Sequence, residues 1–534
     1  MLDGFEPWPD EFAQKYRELG YWNGEPLDAA MRRYGLTFAN ATAVIDRFGE
    51  WTYADLDHEI DHYAAGLSSF GIKDRDRVIV QLPNRVEFVV VMFALLRIGA
   101  IPVFALPAHR TTEIVHFAEC TDAVAYVIPD VADEFDYRDL ARTVRNQTDK
   151  LANVLVLGDP AEFTSLESLR QEPTSHAPTD PGDVAVLLMS GGTTGLPKFV
   201  ARTHDDWSYS GRATAESSSY DTTTRHMVCL PLGHNWTLTH GLMATFHAGG
   251  TLVLGESPDP GTAFKLVEKH GVTDTGLVPG IALAWVEMAP YATEDLSSLR
   301  RVVIGGTKLA AELARRVEPA LGCQLHQAFG MAEGLCGFQS GDDDLETRIN
   351  AQGRPVSPAD EIRVVSEAGD EVARGEVGQL LTRGPYTVRG YYRGGQHNVN
   401  SFTTDGFYRT GDLIRHLPNG QVVFEGRVKD QINRGGEKIA AEEVENLLLA
   451  HPAVLEVALV GIADEVLGEC SCAYVVARDD APRQAELARF LNEQGVAAFK
   501  IPDLVRVIDA LPRTAIGKVD KKTLRSSAPE KATA

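Results

Sequence analysis

The run Met189-Ser190-Gly191-Gly192-Thr193-Thr194-Gly195-Leu196-Pro197-Lys198 follows an apolar stretch, 184–188, and holds the residue types that grip phosphate. Its glycines let backbone N–H groups approach phosphate oxygens, the hydroxyls of Ser190, Thr193 and Thr194 can donate to them, and Lys198 adds a positive charge. It is not a Walker A loop, which needs Lys directly after its last Gly and then Ser or Thr. Here Leu196 and Pro197 intervene and Phe199 follows Lys198. Taken alone, such a Gly/Thr turn after a strand is often an ordinary loop. Further chemistry-bearing segments follow: Ala328-Phe329-Gly330-Met331-Ala332-Glu333, Phe407-Tyr408-Arg409-Thr410-Gly411-Asp412, Gly426-Arg427-Val428-Lys429-Asp430, Gly435-Gly436-Glu437-Lys438, and Pro512-Arg513-Thr514-Ala515-Ile516-Gly517-Lys518. Singly, Glu333 reads as a helix-start charge and Lys518 as a solvated lysine.

The elements that must position these residues are legible in the hydrophobic pattern. Thr52 with Asp55 three residues later offers a capping box opening a helix through Leu56, Ile60, Tyr63, Ala64 and Leu67. Strands at 77–82 and 101–105 flank a helix at 85–98, and strand patterns recur at 152–157, 184–189, 227–230, 251–254 and 302–304 between helices such as 260–269 and 310–321. This alternation predicts β-α-β units and parallel sheets. After about residue 354 the texture changes to short strands (361–365, 378–383, 421–425) with Gly-rich turns, a β-rich subdomain. Beyond Lys429 an α+β pattern begins: helices at 442–449 and 483–494, strands at 455–462, 471–477 and 504–507. The expected domains are therefore 1–428 and 429–534.

A chain of 534 residues, 44% hydrophobic and 24% charged, buries sizeable cores and is no small binding module. Its net charge of −24 repels nucleic-acid backbones and anionic membranes. From Val428 onward 14 Lys and Arg face 17 Asp and Glu, a net of −3, so most of the net negative charge lies in the first domain. The longest uncharged apolar run, 88–96, is too short to span a bilayer, and the acidic, proline-broken N-terminus lacks a secretory pattern; the expected location is cytoplasmic. Six scattered cysteines without a CxxC pair predict free thiols, no disulfide framework and no structural metal.

In order and spacing, over roughly residues 30 to 525, these segments resemble the adenylate-forming superfamily of acyl-CoA synthetases, peptide-synthetase adenylation domains and luciferases. The resemblance implies an α/β fold: a large N-terminal domain of parallel-sheet subdomains plus a β-rich subdomain, and a small, mobile α+β C-terminal domain. It implies ATP and Mg2+, with Glu333 as the magnesium carboxylate and Lys518 as the catalytic lysine. Ser190, Gly191, Thr193, Thr194 and Lys198 would hold phosphates, Asp412 and Arg427 the ribose, and Gly306, Ala328 and Phe329 the adenine. It also implies rotation about Lys429 that withdraws Lys518 and brings Gly435, Gly436 and Lys438 toward the acyl carbon for thiol attack.

The segment Leu230-Pro231-Leu232-Gly233-His234-Asn235-Trp236 matches the wall of the acyl pocket. Adenylation domains for α-amino acids place an aspartate where Asn235 sits, because an ammonium needs an opposite charge. His234-Asn235 resembles instead the stand-alone aryl-acid enzymes of siderophore and aryl-capped peptide biosynthesis, in which the Asn faces an ortho hydroxyl. Trp236, His240, Gly306 and Cys336 complete the implied pocket, and the imidazole of His240 and the thiol of Cys336 depart from that subfamily's usual residues. The expectation is aryl-AMP formation followed by transfer to the phosphopantetheine of an aryl carrier protein, since no Gly-x-Asp-Ser acceptor motif follows Lys518. An aryl-CoA ligase and a silent homologue acting as a binding protein are the alternatives.

Overall fold

A computed structural model describes residues 1–190, 197–435, 437–464, 467–494, 496–514 and 518–527, except for the side chain of Lys438. The described backbone forms two large mixed sheets, a four-stranded antiparallel sheet and a separate C-terminal sheet. In the seven-stranded sheet Ile101–Phe104 and Arg77–Val80 lie at the centre, parallel to Val184–Met189 and Ala125–Pro129. The helix Val86–Arg97, apolar throughout 88–96, is buried against them, which is why its hydrophobic residues show no clean stripe. The helix Tyr53–Phe70 opens with the anticipated box: Thr52 Oγ1 accepts from Asp55 N and Asp55 Oδ2 accepts from Thr52 N.

The nine-stranded sheet runs from Arg354–Pro355 to Gly49–Thr52. Its parallel centre, Gln324–Met331, Arg301–Ile304, Asp274–Leu277, Arg225–Val228 and Thr251–Leu254, sends its carboxyl ends toward one cleft, where ligands bind in open α/β sheets. Antiparallel strands cap the parallel runs of both sheets, at Gly334–Phe338 and at Phe199–Thr203, and make them mixed. The β-rich subdomain is the sheet Glu361–Val365, Val377–Arg383, Tyr408–His416 and Val422–Arg427. A single turn, Val428–Asp430, connects it to the C-terminal sheet, built on the long hairpin Val454–Asp464 and Gly468–Ala477 with its own apolar core. No described helix is long and apolar enough to cross a membrane, and none of the six cysteines forms a disulfide.

Candidate functional site

A cleft of about 410 Å³ lies between the nine-stranded sheet, the β-rich subdomain and the C-terminal domain, lined among others by Gly306, Ala328, Phe329, Asp412, Arg427 and Lys518. Gly306 follows the strand Arg301–Ile304 with φ +86°, a conformation other residues rarely adopt. Ala328 and Phe329 lie on Gln324–Met331, and the Phe329 ring packs 5.9 Å from that of Phe424.

Asp412 and Arg427 stand opposite each other in adjacent strands, and Asp412 is 2% exposed. Arg427 Nε lies 2.8 Å from Asp412 Oδ1 at an angle that leaves that oxygen without a hydrogen bond, able to accept from a ligand. Burial pushes the Asp412 carboxyl up to about 6 despite the nearby cations of Arg427 and Lys518. Lys518 enters from the C-terminal domain on a segment held by Thr514 N donating to Lys518 O. Burial, aided by Arg427, brings its ammonium down to about 8, with Asp412 and Glu333 acting the other way.

Glu333 occupies the turn between Gln324–Met331 and Gly334–Phe338, not a helix start, and is 6% exposed. Tyr391 donates to its Oε1 at 2.6 Å, and the Tyr391 and Tyr408 hydroxyls are 2.9 Å apart. The Lys198 ammonium sits 4.7 Å from the Tyr391 ring centre. Ser190 N donates to Lys198 O and Lys198 N to Ser190 Oγ, which closes the neck of the Gly/Thr loop. Gly191, Thr193 and Thr194 fall outside the described residues.

Around the acyl side, Trp236 N donates to His234 Nδ1 at 3.2 Å, so the neutral imidazole carries its proton on Nε2. Burial, then Lys518, brings the His234 ring down to about 4. Asn235 Oδ1 accepts from Thr239, whose hydroxyl accepts from Trp207, so the amide presents its NH₂ as a donor. The Trp236 indole lies against Gly305 and Gly276, where any Cβ would collide with it, and its Nε1 is buried without a partner. His240, 2% exposed on the helical segment Thr237–Met243, is within hydrogen-bond reach of Tyr220 through Nε2, and Tyr220 in turn of His226. Its Nδ1 is unpartnered and burial holds it neutral. Cys336 faces Gly330, donates from its backbone N–H to the Tyr386 hydroxyl, and has its thiol pushed up to about 12 by burial.

Lys429 sits in the connecting turn and also lines the cleft. Gly435 turns between two C-terminal strands with φ +60° and donates to Leu467 O; it is not among the described residues lining the cleft. Lys438 pairs with Asn433 in that hairpin, and Gly436 is outside the described residues. Sequence reading gave no role to Tyr391, Tyr220 and His226, nor to Tyr408 within its own segment. Only the adjacent Gly390-Tyr391-Tyr392 hinted at the first.

The residues fit a magnesium ion: Glu333 is a buried carboxylate that receives one described hydrogen bond, and no described cluster of three or more ligating residues exists. That suits a cation taking most of its oxygens from phosphate and water.

Comparison with known proteins agrees with this geometry. The chain matches the AMP-binding enzyme family over residues 32–392 and the AMP-binding enzyme C-terminal domain over residues 443–518. It is 50% identical over 532 residues to 2,3-dihydroxybenzoate-AMP ligase of Bacillus subtilis, covering 99% of both chains. It is 44% identical over 532 residues to the salicyl-AMP ligase / salicyl-S-ArCP synthetase of Mycobacterium tuberculosis, covering 98% of this chain and 94% of that one. The apo structure of Mycobacterium smegmatis MbtA superposes with a TM-score of 0.77 at 44% identity, covering 98% and 99% of the two chains. Residues of the nine-stranded sheet, the β-rich subdomain and the C-terminal domain line one cleft, and the chain belongs to the AMP-binding enzyme family.

Proposed function

We propose that this chain condenses an aryl carboxylic acid with ATP to aryl-AMP and pyrophosphate, then hands the aryl group to the phosphopantetheine thiol of a partner carrier protein. The observation that supports this reading most is that Lys518, from one domain, lines the same cleft as Asp412 and Arg427 of the other, and its charge acts on the His234 ring. A cation between the nucleotide side and the acyl side is where a carboxylate oxygen attacks phosphorus. In that attack the acid's oxygen bonds to the α-phosphorus while the bond to pyrophosphate breaks, and Lys518 stabilises charge on both reacting groups. Asp412 and Arg427 hold the ribose, Gly306, Ala328 and Phe329 the adenine, and Ser190 to Lys198 the leaving phosphates. Glu333 would hold magnesium, which when bound neutralises charge on the phosphates. His234 donates from Nε2 to the acid. Asn235, Trp236, His240 and Cys336 enclose its ring and carry no carboxylate, so a free α-ammonium has no partner.

The domains divide at 428/429 in this reading. Lys429 is the hinge, and Gly435, Gly436 and Lys438 serve the thiol after the C-terminal domain turns. The nearly neutral C-terminal surface is the better dock for an acidic carrier. ATP–pyrophosphate exchange over a panel of benzoate, salicylate, 2,3-dihydroxybenzoate, anthranilate, 3-hydroxypicolinate and quinaldate tests the first step. Exchange supported by an ortho-substituted or ring-nitrogen acid is expected. Exchange with none of these acids overturns the reading, and transfer to coenzyme A in preference to a carrier overturns its second half.

A further inference from the structure

Tyr391 touches two charged groups of opposite sign. Its hydroxyl donates to Glu333 Oε1 at 2.6 Å, and its ring face lies 4.7 Å from the Lys198 ammonium. Among the described residues Tyr391 is the one hydrogen-bond donor to the Glu333 carboxylate. The phenol is itself oriented: with its proton given to Glu333, it accepts the proton of Tyr408, 2.9 Å away. The backbone under it is clamped, because Asn398 Oδ1 accepts from Tyr391 N at 2.7 Å and Asn398 Nδ2 donates to Tyr391 O at 3.1 Å. The next residue ties the segment to the phosphate loop's outgoing strand, Tyr392 N donating to Phe199 O. Phe402 closes the far side of the ring cluster.

One rigid side chain thus sets both the rotamer of a carboxylate and the seat of an ammonium. A carboxylate fixed through one oxygen keeps its second oxygen in a defined place, and an ammonium over an aromatic face is held without losing its donors. We propose that Tyr391 is a positioning residue that fixes Glu333 and Lys198 relative to each other, the hydroxyl serving the metal-facing carboxylate and the ring serving the phosphate-facing lysine. The inference rests on the proposed ATP-dependent activation.

Two variants separate the two contacts. Tyr391→Phe removes the hydroxyl and keeps the ring; Tyr391→Leu removes both. Mn2+ binding by electron paramagnetic resonance, with a non-hydrolysable ATP analogue on the full chain, reads the carboxylate directly and needs no turnover. Tyr391→Phe is expected to weaken Mn2+ about 5- to 10-fold, the loss of one hydrogen bond to a charged group, with nucleotide affinity measured without metal unchanged. Tyr391→Leu should add an about 3- to 10-fold loss of metal-free nucleotide affinity through Lys198. Tyr408→Phe, which keeps the bond to Glu333 but not its orientation, should fall between wild type and Tyr391→Phe. In pyrophosphate exchange the Phe variant should lower kcat and spare the KM of the acid, while transfer from preformed aryl-AMP stays at the wild-type rate. Unchanged Mn2+ affinity in both Tyr391→Phe and Tyr408→Phe, or equal slowing of both half-reactions, overturns the proposal. If the wild type activates no acid, the functional reading fails while the Mn2+ and nucleotide titrations still decide on Tyr391.

Discussion

The His234 ring accepts the Trp236 backbone N–H on Nδ1 and is brought down to about 4 by burial and by the Lys518 ammonium, so one backbone bond fixes which nitrogen donates. Lys518 itself sits near 8 and is therefore cationic at neutral pH. As pH rises through about 8 the ammonium loses its proton, and adenylation should decline there. Steady-state exchange between pH 6 and 10 checks this, with the basic limb absent in Lys518→Arg.

Lys518→Ala should lower aryl-AMP formation by about 100- to 1,000-fold, the cost of removing one preorganised charge from a developing anion. Transfer from synthetic aryl-AMP should continue, since it builds no charge at the α-phosphate. Stopped-flow measurement of the two half-reactions checks the split, and joint loss would tie Lys518 to the fold.

Asp412 must be ionised to accept from both ribose hydroxyls. Its carboxyl titrates near 6, above the ordinary carboxylate value, so it is protonated below that pH and charged above it. The KM for ATP should rise as pH falls through about 6. Asp412→Asn should raise KM about 10- to 100-fold and flatten that acid limb. A KM profile from pH 5 to 8 on both proteins decides.

Lys438→Ala should spare pyrophosphate exchange and slow thioester formation. Equal loss of both would mean that the residue supports the C-terminal hairpin.

In the proposed acyl site Nε1 of Trp236 and Nδ1 of His240 are buried polar atoms without a partner among the described residues. An acid with an ortho hydroxyl, amino group or ring nitrogen should exceed benzoate by about 5- to 150-fold in kcat/KM, because a buried polar group left unpaired costs about 1 to 3 kcal/mol. Asn235→Asp should lower activity on every acid by adding a second anion. His240→Ala should change the ranking of acids more than the KM for ATP. Benzoate emerging as the best substrate of the wild type would remove the argument.

Strand and helix positions were legible wherever local pattern decides them: Val184–Met189, Thr251–Leu254, Glu361–Val365 and Leu504–Val507 lie where the apolar runs place them. The strand expected at 227–230 is Arg225–Val228, because Leu230 and Pro231 turn the chain into the pocket wall and Asn84 takes the Leu230 carbonyl. Glu333 was legible as chemistry but not as a turn, since its place depends on the antiparallel partner Gly334–Phe338. Tyr391 was hidden because its meaning comes from groups 58 residues upstream and far earlier at Lys198. The helix Thr237–Met243 carries Thr, His and Gly, poor helix formers, and forms because it is buried against the helix His204–Ser217 and the strands Arg225–Val228 and Asp274–Leu277.

One hydroxyl sets which end of the Asn235 amide is left for the proposed substrate. Thr239 gives its proton to Asn235 and receives one from Trp207, and this two-bond chain holds the amide with nitrogen outward. Thr239→Val breaks the chain and frees the amide to turn over. Such a variant should relax the preference between acids that offer a lone pair and acids that offer a proton, without altering any residue that meets the ring. Under the proposed function, substrate choice can therefore drift by mutation at Thr239, one side chain removed from Asn235.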